Sequence, residues 1–278
     1  FYPVYVMTLN ITKGAENVEV SNMAEHLTGC IHDYTLTTED LKKFEKASIF
    51  IQNGAGLENF TDKILNSYQN IKVISAAENV QNFICEGHDH DSHDNEEQHE
   101  HNADEENVHN HEESHEHDHE CNSHIWLSIE NYISEVEKIY EKLSEYDSKN
   151  KETYLNNKNT YIEKLNALKT KYEGLENIQN KGAICLDEAL VYLLDEVGMK
   201  YEIVETDHEQ SSISANQIKE LINQMKKENI TSIFIEKDGD IKVAETLAKE
   251  TGAKIYKLDA EMNPNKNYED INAYIEAM

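Results

Sequence analysis

Residues 86–120 set the first limit on what this chain can fold into: they hold ten His and fifteen Asp or Glu, with neither Lys nor Arg. The stretch has almost nothing apolar to bury, so it cannot offset the entropy of ordering itself. We read it as a disordered loop inserted between two folded parts. Its composition also has a chemical meaning. Imidazole mixed with carboxylate suits divalent transition metals, zinc foremost among the common ones. His88, His90, His93, His99, His101, His109, His111, His115, His117 and His119 are therefore read as weak metal sites. The competing readings are a solvated acidic linker or an expression tag. A tag would be terminal and all His, and this segment is neither.

The rest of the composition narrows the partner classes. The formal net charge is −30, from 25 basic against 55 acidic residues, and every basic residue is Lys. The inserted segment alone carries half of that charge. Such a surface repels nucleic-acid phosphates and anionic lipid. Without Arg there is no bidentate clamp for phosphate or carboxylate. Cations are the partners it favours. No apolar run reaches the roughly 18 residues of a membrane span. Phe1 is no natural start, so a signal peptide or a lipid anchor is expected to have preceded it.

Outside the insertion the hydrophobic pattern alternates between two periods. Before it, a helix over 3–11 leads to the segment 18–22. A second helix follows, with Thr37 or Thr38 as its cap and acids in its first turn. Buried-type strands are expected at 48–53 and 71–75, with a helix over 57–67 between them. After it, Ile129, Ile133, Val136, Ile139 or Tyr140, Leu143 and Tyr146 step by three and four along one helix. Asp147 and Ser148 mark a cap, and the spacing resumes from Tyr154 to about Leu175. The second helix is near 38 Å long at about 1.5 Å per residue, long enough to serve as a spine. An ordinary packed helix fits the same pattern. The last hundred residues repeat the rhythm, with strands at 183–186, 201–204, 232–235 and 254–257 and helices over 189–197, 214–228, 241–251 and 268–278. The expected fold is α/β: two lobes, each with a mainly parallel sheet flanked by helices, joined by a long rigid helix. The boundaries read as 1–147 for the first lobe, 148–175 for the spine and 176–278 for the second lobe. In open α/β sheets ligands sit beyond the C-terminal strand ends, which makes the cleft between lobes the expected site.

Two smaller features need an account. The glycines of NGAGLE, from Asn53, match no phosphate-binding motif and are read as a tight strand-to-helix turn. The four Cys form no CxxC. Cys85 and Cys121 bracket the insertion and either pair across its base or stay as thiols. Cys30 and Cys185 either pair, offer thiolate to zinc, or stay as thiols.

FYPVY at the start, HDYTLTTEDL from His32, NGAGLENF from Asn53, HIWLS from His124 and AETLAKETGAKIYKLD from Ala244 stand in one order. Together they resemble the ZnuA/AdcA-like solute-binding proteins of bacterial zinc and manganese ABC importers, over nearly the whole chain. An acidic His-rich loop just before HxWL is typical of the zinc branch. The resemblance implies a metal-type periplasmic-binding-protein architecture, with a strand upstream of Phe1. It also implies a monomer outside the cytoplasm, lipid-anchored to the outer face of the cell membrane or periplasmic, that hands its ion to an ABC permease.

The same resemblance implies a ligand set. His32 and His124 stand where the family has its first two His. At the third position the zinc branch has TSHxAFxYL, whereas this chain reads CLDEALVYL. That puts Asp187 at the ligand position, with Glu188 or a displaced His208 as substitutes, or leaves Asp187 merely capping the next helix. Asp259 in KLDAEM is the fourth, with Glu261 close enough to compete. Zn²⁺ accepts such a set tetrahedrally and Mn²⁺ with expanded coordination. The loop points to zinc and the two carboxylates to manganese; we give the loop more weight. Trp126 is read as lobe packing. Two other functions compete. A metallohydrolase would need an open coordination position, which four protein ligands fill, and there is no HExxH. A zinc buffer or sensor would rely on the loop alone, with a vestigial cleft.

Overall fold

The computed structural model describes residues 1–25, 31, 34–85, 121–175, 178, 181–204, 213–237 and 239–260. The His-rich segment and the helix expected at 268–278 lie outside them. Helix α1 (Tyr2–Ile11) has Pro3 in its first turn and is buried on nearly every side, through Tyr2, Val4, Val6, Met7 and Ile11. A helix apolar all round belongs inside a core. Helix α2 (Thr38–Lys46) starts at Thr37, whose hydroxyl accepts from Asp40 N while the Asp40 carboxylate accepts from Thr37 N. The two bonds form a capping box and make Thr37, not Thr38, the cap. Strand β1 (Ile49–Gln52) pairs in parallel with β2 (Lys72–Ser75).

Between these strands the expected helix over 57–67 is replaced by a 3₁₀ turn (Asn59–Thr61) and a single turn of helix, α3 (Asp62–Leu65). The local side chains hydrogen-bond the backbone in place of a ladder. Glu58 accepts from Asn53 N at 2.7 Å and Gly54 N at 3.0 Å, and Thr61 Oγ1 donates back to Glu58 O. The NGAG turn needs its glycine: Gly54 has φ +82°, and a Cβ there would lie 2.0 Å from Ser75 Oγ.

Helices α4 (Ile129–Tyr146) and α5 (Lys151–Glu173) pack against each other. Burying Ile129, Val136, Ile139 and Leu143 of α4 contributes about 1.5–3 kcal/mol each. Tyr132 and Tyr161 share a buried 2.6 Å hydrogen bond across the pair. At the break between the helices the Asp147 carboxylate accepts from Asn150 Nδ2 and the Tyr154 hydroxyl. These bonds hold its pKa below the ordinary aspartate value. Helix α5, at 23 residues and so about 35 Å long, also holds α1. Asn157 Nδ2 donates to the carbonyls of Ile11 and Lys13, capping the end of α1.

The second sheet has the order β4-β3-β5-β6 and is parallel throughout, with β3 (Gly182–Cys185), β4 (Lys200–Ile203), β5 (Ser232–Glu236) and β6 (Lys254–Leu258). Helix α6 (Val191–Glu196), preceded by a 3₁₀ turn (Glu188–Leu190), connects β3 to β4. Helices α7 (Ala215–Glu228) and α8 (Lys242–Thr251) follow β4 and β5. Period two along β3 sends Ala183 and Cys185 into the core shared with α1, α4 and α5. Ile184 and Leu186 face the other way, onto Leu221 and Met225 of α7 and Leu247 of α8. Strand order reverses at β3, so the carboxyl ends of β3 and β5 flank the point where such sheets hold ligands. No described helix is long and apolar enough to cross a membrane.

Candidate metal centre

The segment 121–128 carries His124 and is tied to several neighbouring elements. Its start is fixed covalently: Cys85 and Cys121 form a disulfide and an antiparallel bridge at the base of the insertion. The Tyr192 hydroxyl of α6 then ties both sides of that base, accepting from Ile84 N and donating to Asn122 O.

Asn122 sets the chemistry of His124. Its Oδ1 accepts from His124 N at 2.9 Å and lies 2.9 Å from His124 Nδ1. Its Nδ2 donates to Glu188 O at 2.7 Å, which fixes which end of the amide is oxygen. An oxygen facing Nδ1 requires the proton on Nδ1, and Nε2 then carries the ring's lone pair. This is the tautomer a metal-binding imidazole needs, held by a partner outside the metal's own shell. His124 is 2% exposed, so its orientation is also set by packing.

Two residues on, Trp126 is fully buried, with Phe1 against it at 4.7 Å between ring centroids. Its Nε1 donates to Ala260 O at 2.9 Å. Trp126 thus serves as packing between the two sheets' surroundings, and it fastens the turn that follows β6. Asn53 Nδ2 donates to Ser123 O, bringing the NGAG turn to the same segment. The N-terminus of α4 is held from the other side, where Ser128 Oγ and Ile129 N both donate to Glu196 Oε2 at the end of α6.

The carboxylates sit at the C-terminal ends of their strands. Asp187 follows β3 and caps the 3₁₀ turn, its Oδ1 accepting from Ala189 N at 2.9 Å. Glu188 beside it is exposed. Asp259 follows β6, and its Oδ2 lies 3.0 Å from Lys237 Nζ. Cys185 is a buried free thiol whose Sγ donates to Asp187 O. Burial pushes its pKa up to about 12. It is therefore held as a protonated thiol. His32, Cys30, His208, Glu261 and the ten loop His lie outside the described residues. Among the described residues, no three His, Cys, Asp or Glu side chains form a group able to hold an ion. Asn122 and Trp126, on either side of His124, thus bond the carbonyls of Glu188 and Ala260, the residues next to Asp187 and Asp259.

Sequence reasoning missed Asn122, Tyr192 and Lys237. Asn122 stands two residues before His124, a spacing that could have suggested a side chain folding back on the ring. The other two act across distances no local pattern records.

A zinc-binding lipoprotein, AdcA of Streptococcus pneumoniae serotype 4, is 30% identical over 258 residues, 91% of this chain and 47% of the relative. The chain thus spans about half the length of that curated relative. The Zn(II)-bound ZnuA-like domain of Streptococcus pneumoniae AdcA superimposes with a TM-score of 0.70 at 25% identity, covering 100% of this chain and 93% of that one. A crystal structure of ZnuA gives a TM-score of 0.75 at 21% identity over 99% and 94%, a likeness of fold. Residues 1–278 match the family described as zinc-uptake complex component A, periplasmic, and the chain belongs to that ZnuA family.

Proposed function

We propose that this chain is an extracytoplasmic solute-binding protein that captures Zn²⁺ between its lobes, performs no chemistry on it, and delivers it to an ABC permease. The observation that carries the reading is the Asn122–His124 pair, which fixes a buried imidazole with Nε2 as its acceptor. The ligands we assign are His32, His124, Asp187 and Asp259, with Glu188, Glu261 and His208 as substitutes at the carboxylate positions. Asp187 Oδ1 accepts from Ala189 N, so its carboxylate is already held at the end of β3. The two lobes are taken as 1–147 and 176–278, with 148–175 as the spine. The protein works as a monomer tethered by lipid to the outer face of the cell membrane. The His-rich segment adds weak sites that raise the local ion concentration.

The oxygen-rich half of the ligand set favours a second reading, a manganese-type binding protein of the same family. Competition titration of zinc against manganese separates the two. The expected result is one tightly held zinc per chain that manganese does not displace, lost in His124→Ala while weak binding by the loop persists. Tight binding left unchanged by His124→Ala would overturn the site assignment. Preference for manganese would establish the second reading. Deleting residues 86–120 should remove the weak sites and leave the tight one.

A further inference from the structure

We infer that Lys237 is a specificity-determining residue: it occupies one oxygen of Asp259 and so biases the cleft toward zinc and against manganese. The inference rests on the proposed role of Asp259 as a ligand, and it addresses the conflict between a zinc-type loop and a carboxylate-rich site.

The placement follows from the sheet. Strands β5 and β6 run parallel and adjacent, so their carboxyl ends finish side by side. Lys237 is the first residue after β5, and its N–H donates to Leu258 O at 2.7 Å. That bond extends the ladder one step and fixes the Lys237 backbone beside Asp259. The side chain then lies with Nζ 3.0 Å from Asp259 Oδ2. Neither partner is fully in water, the Lys237 side chain being 29% and the Asp259 side chain 17% exposed. Partial burial makes such a pair stronger than one at an open surface, because less solvent screens it. On the far side of Asp259, Ala260 is held by Trp126, so the turn cannot readily carry the carboxylate away from the ammonium.

A carboxylate binds a metal through one oxygen or two. With Oδ2 held by the Lys237 ammonium, Asp259 does not bind an ion through both oxygens. One oxygen from each acid and one nitrogen from each His is a four-coordinate set, the number zinc adopts in closed protein sites. Manganese is harder, prefers oxygen, and is satisfied by more ligands. A bidentate carboxylate is one way to supply the extra oxygen, and Lys237 closes that way. The ammonium also repels any incoming cation, which costs both ions affinity. The loss of the second oxygen falls on manganese only.

The test is competition titration on the full chain, comparing wild type with Lys237→Met and Lys237→Gln, together with the electron paramagnetic resonance spectrum of bound Mn²⁺. Zinc and manganese affinities should both rise in the two variants. Manganese should gain more, so that the ratio of its dissociation constant to that of zinc falls about fivefold, the upper end for an ion pair open to water. The Mn²⁺ spectrum should change with its coordination. Thermal melting of the metal-free variants checks that they fold, and the two replacements differ enough that one misfolding leaves the other to decide. Asp259→Asn separates the two layers of the argument. If it weakens tight binding while both Lys237 variants keep the wild-type ratio and spectrum, Asp259 is a ligand and the role of Lys237 is refuted. If Asp259→Asn leaves tight binding unchanged, the ligand assignment fails and this inference fails with it.

Discussion

Replacing Cys85 and Cys121 together by Ser should cost the fold a large share of its stability. The disulfide joins residues 36 apart in sequence, and the loop it closes carries fifteen acids with no Lys or Arg. In the chain-entropy model a closure of this length restricts the unfolded ensemble by about 3–4 kcal/mol. For a protein of this size a loss of 1 kcal/mol lowers Tm by roughly 2–4 °C, so the double variant should melt about 6–15 °C lower. Charge sharpens the expectation. Like charges extend the unfolded loop and separate its ends, so the effect should be larger in dilute buffer than in high salt, where repulsion is screened. The assay is calorimetry of the metal-free protein, because an ion bound only to the native state would raise Tm by mass action. Wild type treated with a reductant should melt like the double variant. A Tm within a degree of wild type at both salt concentrations would show that the insertion's ends are held by the Tyr192 bonds alone, and the entropic reasoning would be wrong.

Asn122→Ala should weaken tight zinc binding by about 10–100-fold, the usual cost of losing a partner that orients a ligand His; competition titration measures this, and unchanged affinity would remove Asn122 from the site. Glu135 is fully buried, and burial first, then the nearby Glu58 carboxylate, push its pKa well above 4.5. Its proton is therefore retained in the folded state when the unfolded chain has lost it, so stability falls as pH rises past the unfolded value toward the folded one. Glu135→Gln should remove that dependence and stabilise the protein by about 1–3 kcal/mol at pH 8 but little at pH 4; equal urea midpoints for the two proteins at pH 8 would refute it.

Much of the architecture was legible because it is written locally. Thr37 and the acids after it announce α2, and the short apolar runs at 183–186 and 232–235 mark strands. The helix expected over 57–67 was not borne out, because Glu58 and Thr61 satisfy backbone groups by side-chain bonds that compete with a regular ladder. The helix expected over 189–197 opens with a 3₁₀ turn for a related reason: Asp187 caps Ala189, just two residues on. The proposed ligands came from motif resemblance, and the structure adds what holds them. Asn122 reaches Glu188, and Lys237 reaches Asp259, only because a sheet and a disulfide bring distant segments together. Such contacts leave no period or spacing in the chain.

Trp126 is the chain's single tryptophan. It lies within 5.1 Å of the His124 ring, centroid to centroid, and its indole N–H is bonded to the turn that carries Asp259. The protein therefore contains its own optical reporter. All indole emission comes from one buried ring in contact with a proposed ligand on one side and with the backbone beside another on the other. Capture of an ion at His124, or any movement of the 259–260 turn, changes the surroundings of that one fluorophore. The fluorescence of unlabelled protein can thus report filling of the proposed site.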